Sequence, residues 1–236
     1  MYARPPLLRT CFFLALFATA LPVRPGPVAD WNHAAREAIR AARTSPPVAS
    51  RGLAMLHVAI YDAVNGIART HTAFRVTEPG PDGAAAQAAV SGAAYHVLRH
   101  LFPGSDLQRT NLDVVYAAQM AGLSDGPATA TGLAWGEQVG ALIVAARAGD
   151  GSTQPGEYTP EEEPGVWRPT PPAHGPALLP RWGQVVPFTM TSGAQFRPHP
   201  PPPLGSSAYA FEVNLVEFID PTPAGHGKRF YRAKVR

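Results

Sequence analysis

The chain of 236 residues is long enough for one or two domains with a sizeable hydrophobic core. Its formal net charge is only +3 at pH 7, and its basic residues are scattered except near the C-terminus, so the composition does not favour nucleic-acid binding. The single cysteine, Cys11, excludes a disulfide within the chain. Much of the proline lies between Gln154 and Pro203, where the composition changes sharply.

The N-terminus has the pattern of a secretory signal peptide. Arg4 and Arg9 precede a short apolar run, Cys11–Phe17, and residues 18–20 (Ala-Thr-Ala) have the small side chains of a cleavage site. The apolar run is too short to span a bilayer as a stable anchor. We therefore predict a signal peptide at residues 1–20, a secreted or periplasmic location, and no membrane span after its removal. An unprocessed N-terminal anchor is the alternative.

A helical bundle is predicted over residues 28–148. Its first helix, Val28–Thr44, is rich in alanine, and Asp30 is the predicted N-cap. Three further helices are predicted at Gly83–Phe102, from a cap at Ser105 or Asp106 to about Gly122, and from Asp125 and Pro127 to about Ala148.

The remaining helix, Arg51–Gly66, is apolar on nearly all sides, which is typical of a buried helix. We therefore predict that it is the central helix of the bundle. Its middle part, Leu53–Val64, should be the least exposed segment of the chain, with Leu56 and Ile60 buried.

Small residues follow one stripe of the last predicted bundle helix. Gly132, Gly136 and Gly140 recur at four-residue spacing. Glycine inside a helix costs roughly 1 kcal/mol relative to alanine, so the stripe predicts a neighbouring helix at very close approach. Such stripes also occur in membrane helices, but Glu137 and Gln138 interrupt the apolar run and favour a contact between soluble helices.

The Pro-rich segment, residues 149–205, has little apolar periodicity but repeated aromatic residues, which a disordered segment would lack. We predict an irregular arm that wraps the bundle and is held by Trp167 and Trp182. A short helix is predicted at residues 206–220, followed by a loose basic tail at 221–236. The predicted fold class is all-α: a helical bundle around a buried central helix, with a long Pro-rich irregular wrapping arm.

Several histidines and carboxylates have spacings that suit metal binding. His33 and Glu37 are one helical turn apart, as are His96 and His100. His57 and Asp62 lie about 140° apart around their helix and cannot chelate one ion together. Neither pair has a third ligand at a typical spacing. We therefore interpret these residues, and His174, as structural or solvated side chains.

Five stretches, taken in order, resemble the N-terminal half of bacterial vanadium-dependent haloperoxidases, which are related to the type 2 phosphatidic acid phosphatases. The most specific is W-R-P-T-P-P at Trp167–Pro172, followed by Trp182 and the proline run that leads to Tyr209. The others are residues 30–40, 51–67 and 84–98, and the resemblance extends to Asn214.

The resemblance implies a later helical bundle that binds vanadate, or phosphate in the phosphatases, through K-x6-R-P, P-S-G-H and S-R-x5-H motifs. Lys228 is followed by valine where the first motif needs arginine, and no Ser-Gly-His occurs. Ser50 and Arg51 stand at the spacing of the third motif from His57, but they lie within the scaffold part of the resemblance. We therefore predict no catalytic, cofactor-binding or metal-ligating residue in this chain, with vanadate belonging to the full-length family.

These observations leave three hypotheses of function. The first is a haloperoxidase-like, acid phosphatase-related protein that comprises only the scaffold half, with a truncated or frame-shifted end, and is inactive alone; a natural short form is the alternative. The second is an exported helical binding or structural module that docks a partner chain, either a missing or separate catalytic half or another copy in a homo-oligomer. The third is an unrelated hydrolase or metal protein that uses the histidines.

Overall fold

The structure is a computed structural model that describes residues 26–104, 106–161 and 166–212. The predicted signal peptide, the end of the predicted last helix and the basic tail lie outside these ranges. Within them the chain forms α-helices, one short 3-10 helix and no β-strand, so the all-α class is confirmed. The helices are α1 (Pro27–Ala41), α2 (Pro46–Ala68), α3 (Ala86–Leu101), α4 (Asp106–Ala121), α5 (Pro127–Arg147) and α6 (Ser207–Glu212), and the 3-10 helix is Trp182–Gln184.

The chain divides into two compact units, residues 1–144 and 145–236. The first unit holds α1 to α4 and most of α5. The second holds the last residues of α5, the Pro-rich segment and α6. Among the described helices, none combines the length and the hydropathy needed to cross a bilayer.

Prolines set the starts of three helices in the first unit. Pro27, Pro46 and Pro127 each occupy the first position of a helix, where the missing N–H leaves no hydrogen bond unmade. The predicted start of α2 at Arg51 is therefore five residues too late. The prediction of Asp30 as an N-cap was also wrong, since Asp30 lies in the first turn of α1, after the N-cap residue Gly26.

The helix at the centre of the first unit is α3. Seven consecutive residues, Ala88–Ala94, are buried, and α3 contacts α1, α2 and α4 as well as α5. The prediction that α2 is the central and least exposed helix was therefore wrong. Leu56 and Ile60 of α2 are buried as predicted (0% and 4% exposed), but α2 also exposes a polar edge. The alanines, serine and glycine of α3 are small enough for neighbours to pack against it on every side.

The glycine stripe of α5 lies against the backbone of α3, as predicted. A Cβ atom at Gly136 would overlap the carbonyl oxygen of Ala89, and one at Gly132 would overlap that of Ala85. A Cβ atom at Gly140 would lie 3.0 Å from the carbonyl oxygen of Ala93. The two backbones are therefore in direct contact, with no space for a side chain between them.

The loop that joins α2 to α3 is fastened by a buried carboxylate. The side chain of Asp62 is fully buried, and its two oxygens accept hydrogen bonds from three successive backbone N–H groups, those of Phe74 (2.7 Å), Arg75 (2.8 Å) and Val76 (2.9 Å). A buried carboxylate is stable only when such donors replace its water shell. The loop and α2 are thus joined by charge-assisted hydrogen bonds.

Two neighbours of Asp62 hold the start of the same loop. Asn65 exchanges two hydrogen bonds with the backbone of His71, at 2.8 and 2.9 Å, and the Tyr61 hydroxyl donates to the carbonyl oxygen of Thr72 at 2.8 Å. Arg69 ends α2 with φ at 53°, and its guanidinium donates to the carbonyl oxygen of Gly80 at 2.7 Å. The polar edge of α2 therefore serves the loop.

The glycine contact predicts the effect of adding one methyl group. We expect Gly136→Ala to lower the free energy of unfolding by up to about 2 kcal/mol, since an overpacking cost of about 1–3 kcal/mol against rigid backbone opposes a gain of about 1 kcal/mol in helix propensity. Urea denaturation would measure the change. Gly122→Ala is the matched control, because its new Cβ would have no neighbour closer than 3.5 Å. Equal stability of the two variants would contradict the close packing of α3 and α5.

The loop contact predicts the effect of removing one charge. We expect Asp62→Asn to cost about 1–3 kcal/mol, because the amide offers a single acceptor oxygen to donors that now bond both oxygens of the carboxylate. Amide hydrogen exchange should become faster at residues 74–76. The control is Asp82→Asn, whose side chain is 93% exposed and should cost less than about 1 kcal/mol. Unchanged exchange at residues 74–76 would argue against this role of Asp62.

Candidate functional site

The candidate metal ligands of α1 and α2 are not brought together. His33 and Glu37 lie on the exposed side of α1, with Nδ1 and Oε1 4.0 Å apart. His57 bonds through Nε2 to Oδ1 of Asn32 at 3.1 Å, and the Asp62 carboxylate accepts its hydrogen bonds from the loop between α2 and α3. In the ranges that the structure describes, no three His, Cys, Asp or Glu residues are placed to hold a metal ion.

The other candidate histidines lie on α3 and in the second unit. His96 is half-buried and His100 exposed, one turn apart on α3, and the Cβ of His96 faces Gly140 of α5. In the second unit, His174 has a positive φ of 45° and bonds through Nδ1 to the carbonyl oxygen of Pro169 at 3.3 Å. Each is explained by helix packing or by a turn.

A hydrogen-bonded aromatic cluster joins α3 to α4. The Tyr95 hydroxyl donates to Oδ1 of Asp113 at 2.6 Å, and Nη1 of Arg99 donates to the same oxygen at 3.3 Å. The Tyr95 ring also packs on Tyr116, with centroids 4.5 Å apart and planes inclined by 31°. This cluster was not predicted from the sequence, although the one-turn spacing of Tyr95 and Arg99 was a local signal for it.

The electrostatics of this cluster keep both phenols protonated. Burial raises the pKa of Tyr95, the hydrogen bond to Asp113 raises it further, and the nearby Arg99 cation opposes part of the shift. Burial also raises the pKa of Tyr116, with a smaller contribution from Glu137. Phenols with raised pKa values act as hydrogen-bond donors at neutral pH rather than as bases, so the cluster is suited to holding helices together.

The second unit contains a buried ion pair. Nη2 of Arg147 lies 2.7 Å from Oδ2 of Asp150 and donates to the carbonyl oxygen of Val186 at 2.6 Å. The guanidinium stacks 4.2 Å from the centroid of the Phe188 ring, and the backbone N–H of Val186 donates to the carbonyl oxygen of Asp150 at 2.9 Å. The pair thereby fastens residues 186–188 to the end of α5. This ion pair was not predicted from the sequence.

The two tryptophans predicted to anchor the Pro-rich arm have different surroundings within it. Trp167 is 46% exposed and meets Tyr158 edge to face at 5.5 Å, while the Tyr158 hydroxyl donates to the carbonyl oxygen of Trp167 at 2.8 Å. Trp182 begins the 3-10 helix and is half-buried. The anchoring of this arm on the bundle stays a prediction.

The first unit offers room for a ligand in a groove between α1 and α4, with a volume of about 810 Å³. Its walls combine apolar side chains, such as Ala34 and Ala38 from α1 and Val115 from α4, with polar ones. Asp30 and Gln119 meet across one end, where the Gln119 amide donates to Oδ2 of Asp30 at 2.7 Å. Among the lining residues that the structure describes, none is lysine or arginine, so these side chains do not suit an oxyanion such as vanadate.

No family model and no curated protein matches this chain. Among solved structures, the chain is similar to a bacterial vanadium-dependent iodoperoxidase, with a TM-score of 0.63 and 24% sequence identity. The similarity covers 81% of this chain and 51% of that chain, so this chain spans about half the length of the iodoperoxidase. The resemblance predicted from the sequence is confirmed at the level of the fold: the chain folds like about half of a vanadium-dependent haloperoxidase.

Proposed function

We propose that this chain is the scaffold half of a vanadium-dependent haloperoxidase-like protein. The observation that carries the proposal is the fold similarity to an iodoperoxidase, which extends over most of this chain but only half of the other. Peroxide-dependent halide oxidation then requires a vanadate-binding half in addition. Export from the cytoplasm, proposed from the signal-like pattern of residues 1–20, belongs to the same hypothesis.

The distribution of cations supports a scaffold without chemistry of its own. Vanadate carries a high negative charge, and its binding needs several fixed cations and hydrogen-bond donors around one space. The arginines for which the structure describes contacts are engaged singly and in different places: Arg40 contacts Glu37, Arg69 bonds to the loop, Arg99 pairs with Asp113, and Arg147 pairs with Asp150. These residues do not form an oxyanion pocket, so we assign no catalytic step to them.

In this proposal the first unit gives a vanadate-binding half a rigid support. Its central helix is buried on all sides between residues 88 and 94, α5 contacts it backbone to backbone, and the loop after α2 is fastened by buried hydrogen bonds. A catalytic site must be held to within about 0.5 Å of its productive geometry, and packed helices provide such support better than loops do. The proposed role is therefore to hold a vanadate-binding half in place.

The proposal predicts that the chain alone neither binds vanadate tightly nor oxidises halides. We expect isothermal titration of the folded protein with orthovanadate to show no saturable site of micromolar affinity. We also expect iodide or bromide oxidation by hydrogen peroxide in the presence of vanadate to stay at the rate without protein. The bacterial iodoperoxidase is the positive control, and circular dichroism would establish that the tested chain is folded. A one-to-one vanadate site, or halide oxidation above background, would refute the proposal.

A further inference from the structure

We propose that the groove between α1 and α4 binds one face of an amphipathic helix from a partner protein. That helix would carry basic residues beside its apolar stripe. The inference goes beyond the proposed function and does not depend on it, because it concerns a surface of the first unit and can be measured without vanadate, peroxide or halide.

The dimensions of the groove suit a helix. Residues of α1 line it from Pro27 to Ala41, a distance of about 20 Å at 1.5 Å per residue. The groove is therefore long enough for about four turns of a helix. A compact ligand would leave much of this length unfilled.

The walls of the groove suit an apolar stripe. Ala34 and Ala38 keep the wall on α1 shallow, which lets another helix approach closely. On α4, Val114 is 62% exposed and Ala118 is also exposed, although both line the groove. The apolar positions of an amphipathic helix, spaced i, i+3, i+4 and i+7, would remove these side chains from water.

The charge of the groove indicates the chemistry of the partner. Asp30 and Glu37 both line it, and among the lining residues that the structure describes none is lysine or arginine. Glu37 already has the contact with Arg40, whereas the described contact of Asp30 is with the neutral amide of Gln119. A lysine or arginine beside the apolar stripe of the incoming helix would complement Asp30, and an acidic residue there would be repelled.

Two synthetic peptides would test the inference. Each has 16 residues with leucines at helical i, i+3, i+4, i+7 spacing and a fluorescent label, and the two differ only in having lysines or glutamates beside the stripe. In fluorescence anisotropy titrations of the full chain, we expect the lysine peptide to bind at least tenfold more tightly than the glutamate peptide. Asp30→Asn should reduce this preference at least threefold.

Matched variants locate the binding surface. Val114→Asp would bury a carboxylate under the leucine stripe, and because this desolvation outweighs the attraction for the flanking lysines, it should weaken binding of the lysine peptide at least tenfold. Leu178→Asp, at a residue of the second unit with the same 62% exposure, should leave it unchanged. Thermal melting would establish that both variants are folded, and Val114→Ser, a milder change at the same position, should weaken binding in the same direction.

Four outcomes would overturn the inference. The first is the absence of saturable binding of either peptide, and the second is equal binding of both peptides. The third is equal binding of the lysine peptide by wild type and Val114→Asp. The fourth is a wild-type dimer, detected by sedimentation, that Val114→Asp converts to a monomer, because the groove would then be filled by a second copy of this chain.

Discussion

The direct contact between the backbones of α3 and α5 is the constraint on which the first unit depends. Because no side chain separates these helices at Gly132 and Gly136, Trp135 of α5 is brought against α2. Its indole N–H donates to the carbonyl oxygen of Ala63 at 2.9 Å, and its ring fills the space beside two further glycines, Gly66 and Gly80. One close contact therefore positions α5, α3, α2 and the loop that follows α2.

The buried polar groups of the chain mostly serve the fold. Asp62 bonds to three loop N–H groups, the Trp31 indole donates to the buried Ser91 hydroxyl at 3.3 Å, and Arg147 and Asp150 fasten a segment of the second unit. Each polar atom that leaves water needs a partner in the protein, and a partner at fixed distance is also a structural restraint. These side chains therefore act as structural restraints within each unit.

The groove between α1 and α4 has apolar residues that are partly left to solvent. Leu112 of α4 is 1% exposed, whereas Val114, two residues further on, is 62% exposed. A helix with one covered and one uncovered apolar face is typical of a bundle that takes up another element. The fold shared with half of an iodoperoxidase and the open groove are separate observations.

The sequence by itself determined the all-α class, the five bundle helices to within a few residues at most ends, the burial of Leu56 and Ile60, and the close approach at the glycine stripe. These follow from local periodicity, propensity and backbone sterics, which neighbouring residues decide together. Only the tertiary structure decided that α3 rather than α2 is central, that Asp62 holds residues 12 to 14 positions away, and that α1 and α4 enclose a groove. Such features depend on which distant segments meet. Helical periodicity shows which residues share a face of a helix, but it does not show which segment packs against that face.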